Sequence, residues 1–440
     1  MTSGPMWSRI PLFALPVAAT AILEQLFNAS DIAVVGNFTG QLRNAAVAAI
    51  GANSPIVSLL LNVFIGIALG ANVVIAGAVG REDVKESQRA VHTSILLSLI
   101  GGIAIAIVGE IAASPFMKLL NVPDEVFPLA LVYLRIYLLG LPVIFLYNFE
   151  AAIFRSIGNT RAPLIALFLS GIINVILNLF FVIVLKLSVE GVAIATVISN
   201  AISSMILFIR LLNEDEYIRL DLRKLRIDAR TMRKIVKIGL PAGLQSGVFS
   251  FANIVIQASI NSLGTVVIAA SSAAFNIEVF VYDIINSFSQ ACTTFTGQNY
   301  GAGRKDRCRK ALYLSLLEAA VSLAISASIV LIFGKRLLSV FNGDKEVIDT
   351  GYIRLVLIMS AYTCTFIYEV VSGYLRGFGL SLVPAILTTV GICGVRLFWI
   401  YTVFPKNRTF MTIMEAYPIS LFVTAVLILL YYAYKRKSLR

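Results

Sequence analysis

The sequence has one histidine, His92, and four cysteines, Cys292, Cys308, Cys364 and Cys393. A single imidazole cannot build a multi-histidine centre, and the cysteines show neither metal-ligand spacing nor a disulfide framework. A polytopic enzyme with metal-held or thiol chemistry is therefore disfavoured. Charge is also scarce: Asp, Glu, Lys and Arg make up 14% of the 440 residues, against about 25% in soluble domains. Hydrophobic residues make up 58%. The chain reads as an all-α polytopic membrane protein. No cleavable signal peptide is expected, because the first apolar segment is too long and carries polar groups.

Twelve apolar stretches, from about 10–37 to about 413–434, have the length of membrane-spanning helices. Long polar connections are missing except for residues 212–235, a charged segment that separates two sets of six spans. The expected division is an N-terminal bundle over 1–211, a linker over 212–235 and a C-terminal bundle over 236–440. The linker reads as an amphipathic surface helix or as a solvated connection. With the N-terminus inside, 25 of the 36 Lys and Arg fall on the cytoplasmic side and 8 outside, leaving Arg135, Arg354 and Arg396 within spans. This excess predicts cytoplasmic termini and a multi-pass protein of the inner (plasma) membrane. It also explains the net charge of +12 without a nucleic-acid partner.

The stretch Pro16–Asn37 organises the rest. It is apolar yet holds Glu24, Asn28 and Asp31, whose spacings of four and three put them on one helical face. A carboxylate at the bilayer centre costs roughly 2.5–3.5 kcal/mol, so the stripe faces protein or a water-filled cavity. It marks an ion or substrate path, or else a buried hydrogen-bond knot between helices.

The two halves resemble each other. LPVAATAILEQLFNASDIAVVGN from Leu15 recurs as LPAGLQSGVFSFANIVIQASINS from Leu240, and FLYNFEAAIFRSIGNTRAP from Phe145 recurs as FIYEVVSGYLRGFGLSLVP from Phe366. GREDV at Gly80 echoes GRKDR at Gly303. A duplicated six-span unit predicts two pseudo-symmetric six-helix bundles around a central cleft, the plan of an alternating-access transporter.

These segments, with INVILNLFF, VEGVAIATVIS and TGQNYGAGRKDR, resemble the multidrug and toxic compound extrusion (MATE) family, near its bacterial DinF-like and MepA-like members. The resemblance covers almost the whole chain. It implies secondary antiport, in which proton or sodium entry drives export of amphipathic, often cationic, drugs or metabolites. The family's first-span Asp matches Asp31, its fifth-span Asn matches Asn174, and its sixth-span Thr matches Thr196. Where many relatives have a second fifth-span carboxylate, this chain has Asn178. That departure favours single-proton coupling at Asp31 and leaves only weak sodium binding open. At about 1.5 Å per residue, all four lie at depths where they can meet; a neutral network locking three helices remains the alternative. Glu24 matches no family position that the resemblance assigns, and could supply the missing charge from a different place.

In the C-terminal half, the seventh span lacks the carboxylate of the NorM-like branch. Glu278 lies deep in span eight and is expected to help attract cationic substrates. Glu318 and Arg396 are expected to pair with each other or with backbone, and Glu150 and Glu369 to be interfacial or structural. Gly66 and Gly70 are expected to serve close helix packing. A lipid-linked oligosaccharide flippase is the rival, and would need several cavity cations for pyrophosphate. No cofactor or bound metal is expected, and the protein is expected to act as a monomer.

Overall fold

In a bilayer each span must satisfy its own backbone polar groups, which these long apolar runs do as helices. The computed structural model describes residues 1–119 and 122–439. Twelve of its helices are long and apolar enough to cross a membrane: α1 (Met6–Phe38), α2 (Gly40–Gly80), α3 (Val84–Lys118), α4 (Phe127–Ser156), α5 (Arg161–Val184), α6 (Val189–Leu212), α7 (Ala229–Asn261), α8 (Thr265–Gly301), α9 (Lys305–Ser339), α10 (Lys345–Gly377), α11 (Leu382–Lys406) and α12 (Phe410–Leu439). No strand occurs among the described residues. The all-α, twelve-helix expectation is met.

The internal repeat is visible in the turns. Gly158 after α4 and Gly379 after α10 both take positive φ, 92° and 80°. In each turn the next amide reaches back to a helix carbonyl, Asn159 to Phe154 at 3.0 Å and Leu380 to Leu375 at 3.0 Å. This left-handed termination is the one glycine favours. The turns after α2 and α8 also match, but not in the register of the two GR dipeptides. Asp83 N–H reaches Ala78 O and Arg304 N–H reaches Asn299 O, so Glu82 (φ 58°) stands where Gly303 (φ 71°) stands. Backbone bonding, not the dipeptide, sets the equivalence.

The chain gathers into two compact units, one of Ala19–Leu240 and one of Met1–Ala18 with Pro241–Arg440. The boundaries fall inside α1 and α7, beside the repeat-matched prolines Pro16 and Pro241. This differs from the expected division at 212–235. Proline removes an i→i−4 bond and clashes with that carbonyl, which lets one helix serve two packing environments.

In the first unit, the backbones of α2 and the start of α7 meet at Gly70 and Gly239. A Cβ on Gly70 would lie 2.2 Å from Ile235 O and 2.8 Å from Gly239 N. The rings of Phe64 and Phe145 stack at 3.8 Å, and the amides of Asn53 and Asn72 donate to Ala130 O and Ala152 O. In the second unit, α8 and α10 approach as closely: Thr293 Oγ1 donates to Gly373 O at 2.9 Å, and Ser289 Oγ to Glu369 O at 2.7 Å. Arg304 and Arg307 there hold the carbonyls of Thr2, Met1 and Gly4.

The 212–235 segment is neither an amphipathic helix nor a free connection. Ile218 and Leu220 are buried. Only Leu222–Lys224 forms a short 3-10 turn before α7. The segment is fixed on α3: Gln88 Nε2 donates to Glu216 O at 2.9 Å, Asp221 N to His92 Nε2 at 3.1 Å, and Asp228 N to Thr93 Oγ1 at 3.1 Å. Hydrogen bonds to the Arg223 amide and the Lys224 ammonium hold the Asp221 carboxyl below its usual pKa.

Candidate functional site

Three helices of the first unit converge on Asp31. From α5, Asn178 Nδ2 donates to Asp31 Oδ1 at 2.6 Å and to Asn174 Oδ1 at 3.1 Å. From α6, Thr196 Oγ1 lies 3.1 Å from Asp31 Oδ2 and 2.9 Å from Val192 O. Asp31 is only 6% exposed, and Asn174 and Asn178 are buried with it. The backbone of α5 widens into a π-turn at Phe180–Val184, two residues beyond Asn178. Such turns recur at functional sites because they re-aim the side chains next to them.

The four residues that the sequence placed at similar depth therefore meet. Glu24 and Asn28 line the same cavity as Asp31, of about 130 Å³. That volume has room for about four waters at liquid density. Its wall also carries Asn148, Ser170, Ser199, Asn200 and Ser203, which the sequence reading passed over. They could have been found by the rule that found the α1 stripe. Ser170, Asn174 and Asn178 are successive i, i+4 positions, and Thr196, Ser199, Asn200 and Ser203 fall at i, i+3, i+4 and i+7. Phe27 lies directly over Gly171 at the wall: a Cβ there would be 1.7 Å from its ring.

The charges on this wall are carboxylates, Glu24 and Asp31, with no lysine or arginine among its lining residues. A pyrophosphate-binding cavity needs the reverse, so the flippase expectation finds no support here. The amide of Asn178 aims its nitrogen, not its oxygen, at Asp31. That arrangement serves a carboxylate that accepts hydrogen bonds or takes a proton. It does not leave a ring of free oxygens for a hard cation.

A sequence profile of the MatE family matches residues 16–180 and 241–402, covering both halves of the repeat. The chain belongs to the MatE family. Among curated relatives of this MATE protein, the probable multidrug resistance protein YoeA of Bacillus subtilis is 23% identical over 98% of this chain and 95% of its own. The multidrug export protein MepA of Staphylococcus saprophyticus is 23% identical over 83% and 80%. A solved outward-facing multidrug resistance MATE transporter of the MOP superfamily superposes with a TM-score of 0.91 at 22% identity, over 99% of this chain and 97% of that one. That likeness establishes the fold.

In the second unit, Glu278 is not the unpaired carboxylate expected of a cation-attracting residue. Arg354 holds both of its oxygens, Nε to Oε2 at 3.1 Å and Nη2 to Oε1 at 2.5 Å, and donates Nη1 to Ser271 Oγ. The two side chains are 5% and 4% exposed. The sequence left Arg354 unassigned because its partner is on another helix, 76 residues away. Glu318 and Arg396 do not pair with each other. Arg396 stacks over Tyr417 at 4.2 Å and donates to Ser420 Oγ at 3.0 Å, while buried Glu318 Oε2 has no hydrogen-bond partner among the described residues. Glu150 is fully buried, accepting from Ser204 Oγ at 2.8 Å. Glu369 accepts from Tyr282 at 3.1 Å.

Proposed function

We propose that this MATE protein is an antiporter that exports amphipathic, often cationic, small molecules and is driven by proton entry through Asp31. The observation that carries this is the buried Asp31 carboxylate, held by Asn178 and Thr196 at the wall of a polar cavity. An ionised Asp31 accepts from both partners. When it takes a proton at Oδ2, that oxygen becomes a donor. Thr196 has one hydroxyl proton, and can then turn it to Val192 O and accept from Asp31 instead. Protonation thus reverses the direction of the α1–α6 bond without moving either backbone. It also removes the charge whose burial is costly. A change of this kind can bias an alternating-access equilibrium, provided the two states differ in how they solvate Asp31.

Export of drug-like compounds is supported by the names of the relatives YoeA and MepA. The basic loops support a cytoplasmic position for both termini in the plasma membrane. We take the transporting species to be the monomer.

The experiment is efflux of a fluorescent cationic dye from proteoliposomes, under a proton gradient alone and then a sodium gradient alone. Proton-driven efflux that is lost in Asp31→Asn supports the reading. Efflux driven only by sodium overturns the proton assignment, and no gradient-driven efflux of any amphiphile overturns the function.

A further inference from the structure

Opposite the Asp31 cavity in character is a second cavity of the first unit, of about 680 Å³, between the start of α3 and the 212–235 segment. Its wall carries Lys85, Arg89, His92, Arg223, Lys224 and Arg226. Lys85, Gln88, Arg89 and His92 lie on one face of α3, at spacings of three, one and three. The other cations come from the 3-10 turn and the residues after it, which are not loose. Asp221 N–H is held by His92 Nε2 and Asp228 N–H by Thr93 Oγ1, one bond on each side of the three basic residues.

Nearby carboxylates neutralise the cavity only in part, Asp221 pairing with Lys224 and Asp228 lying close enough to Arg89 to feel its charge. Asp221 is taken by Lys224 at 3.2 Å and by the Arg223 amide. Asp228 caps the Thr231 amide at 2.8 Å. Glu86 is shared by Arg81 and Lys234. Among the described residues, no ion pair engages Lys85, Arg89, Arg223 or Arg226. Retention of basic loops on one side of the membrane accounts for the number of these charges. It does not account for their gathering, all five exposed, along one open groove between α3 and a segment that hydrogen bonds fix to it. The volume is that of a small-ligand site.

We propose that this cavity is a binding site for a phosphate-bearing anion, clamped between α3 and the linker. Guanidinium groups bind phosphate oxygens bidentately, and three of the five cations are arginines. Its position suits a membrane-surface ligand. The apolar run of α3 begins at Ile95, so His92 sits roughly 5 Å and Lys85 roughly 15 Å beyond it along the helix. That interval spans the headgroup layer and the water next to it. The ligand is the phosphate of an anionic lipid headgroup or of a soluble polyphosphate; the chemistry is the same and the source is what the experiment separates.

The purified full-length protein is titrated in detergent with sodium pyrophosphate at constant ionic strength, following its melting temperature. In parallel, it is placed in phosphatidylcholine nanodiscs with and without phosphatidylglycerol, and retained lipid is counted by native mass spectrometry. Each arm compares the parent, the triple variant Arg89→Gln/Arg223→Gln/Arg226→Gln, and the equally charge-reduced Lys435→Gln/Arg436→Gln/Lys437→Gln. The single Arg226→Gln, at an exposed residue, serves if the triple variant fails to fold. The expected result is a saturable response to one or both probes, weakened roughly a hundredfold in the pocket triple and unchanged in the control triple. Response to pyrophosphate in detergent identifies a soluble ligand; retained phosphatidylglycerol without it identifies the lipid. No saturable response to either probe, or equal weakening in both triples, overturns the proposal.

Discussion

Asn178 turns its amide nitrogen toward Asp31, 2.6 Å from Oδ1, and among the described residues its own buried Oδ1 meets no donor. In this position the amide stabilises the ionised carboxylate, and the same group could serve the protonated one by turning over. Asp31→Asn should therefore leave the fold and dye binding intact, because a neutral amide is cheaper to bury than a charge. Proton-driven efflux should fall to background, while Glu24→Gln should do less. The check is efflux by both variants at equal membrane abundance. Near-normal efflux by Asp31→Asn with loss in Glu24→Gln would move the coupling site along the stripe.

Asn178→Asp should change the ion rather than abolish transport. A second carboxylate would replace the N–H donor at Asp31 with oxygen ligands and an extra negative charge. Hard cations bind such sets, and two adjacent carboxylates resist joint ionisation unless a cation or proton is shared between them. Sodium-driven efflux should appear or rise in the variant. Unchanged indifference to sodium, with normal folding, would show that the amide at 178 does not set ion choice.

Glu278→Gln should damage stability rather than substrate choice. Removing one partner of a buried ion pair leaves the other charge uncompensated, at a cost of about 3–5 kcal/mol. The melting temperature should drop and efflux of cationic and neutral amphiphiles should fall together. The double variant Glu278→Leu/Arg354→Met should recover most of the stability, because it removes both charges. A selective loss of cation export with an unchanged melting temperature would return Glu278 to the role of a substrate group.

Gly70→Ala should destabilise the first unit. The new methyl would meet Ile235 O at 2.2 Å, a backbone atom that cannot rotate away. Overpacking of this kind costs about 1–3 kcal/mol. Gly51→Ala, on the same helix with nothing within 4 Å of the new carbon, is the control and should be neutral or slightly stabilising. Equal melting temperatures for the two variants would show that the α2–α7 contact is not tight in the folded protein.

Much of this protein is legible in one dimension. Hydrophobic length fixes twelve helices, because a bilayer accepts few other backbones. The cost of a buried carboxylate and the helical period pick out the Glu24, Asn28 and Asp31 face, and the repeated Leu-Pro and Gly turns give the duplication. The same period would have yielded the polar faces of α5 and α6. The tertiary structure alone decided which faces meet. It paired Glu278 with Arg354 and placed Arg396 on Tyr417 instead of Glu318. It aimed the nitrogen of Asn178 at Asp31, and folded the charged 212–235 segment onto α3 as one wall of a cationic cavity. These outcomes depend on each helix's rotation and tilt, set by packing at sites such as Gly70 and Pro241. A periodic pattern gives the direction of a side chain relative to its own helix, not the identity of the neighbour that faces it.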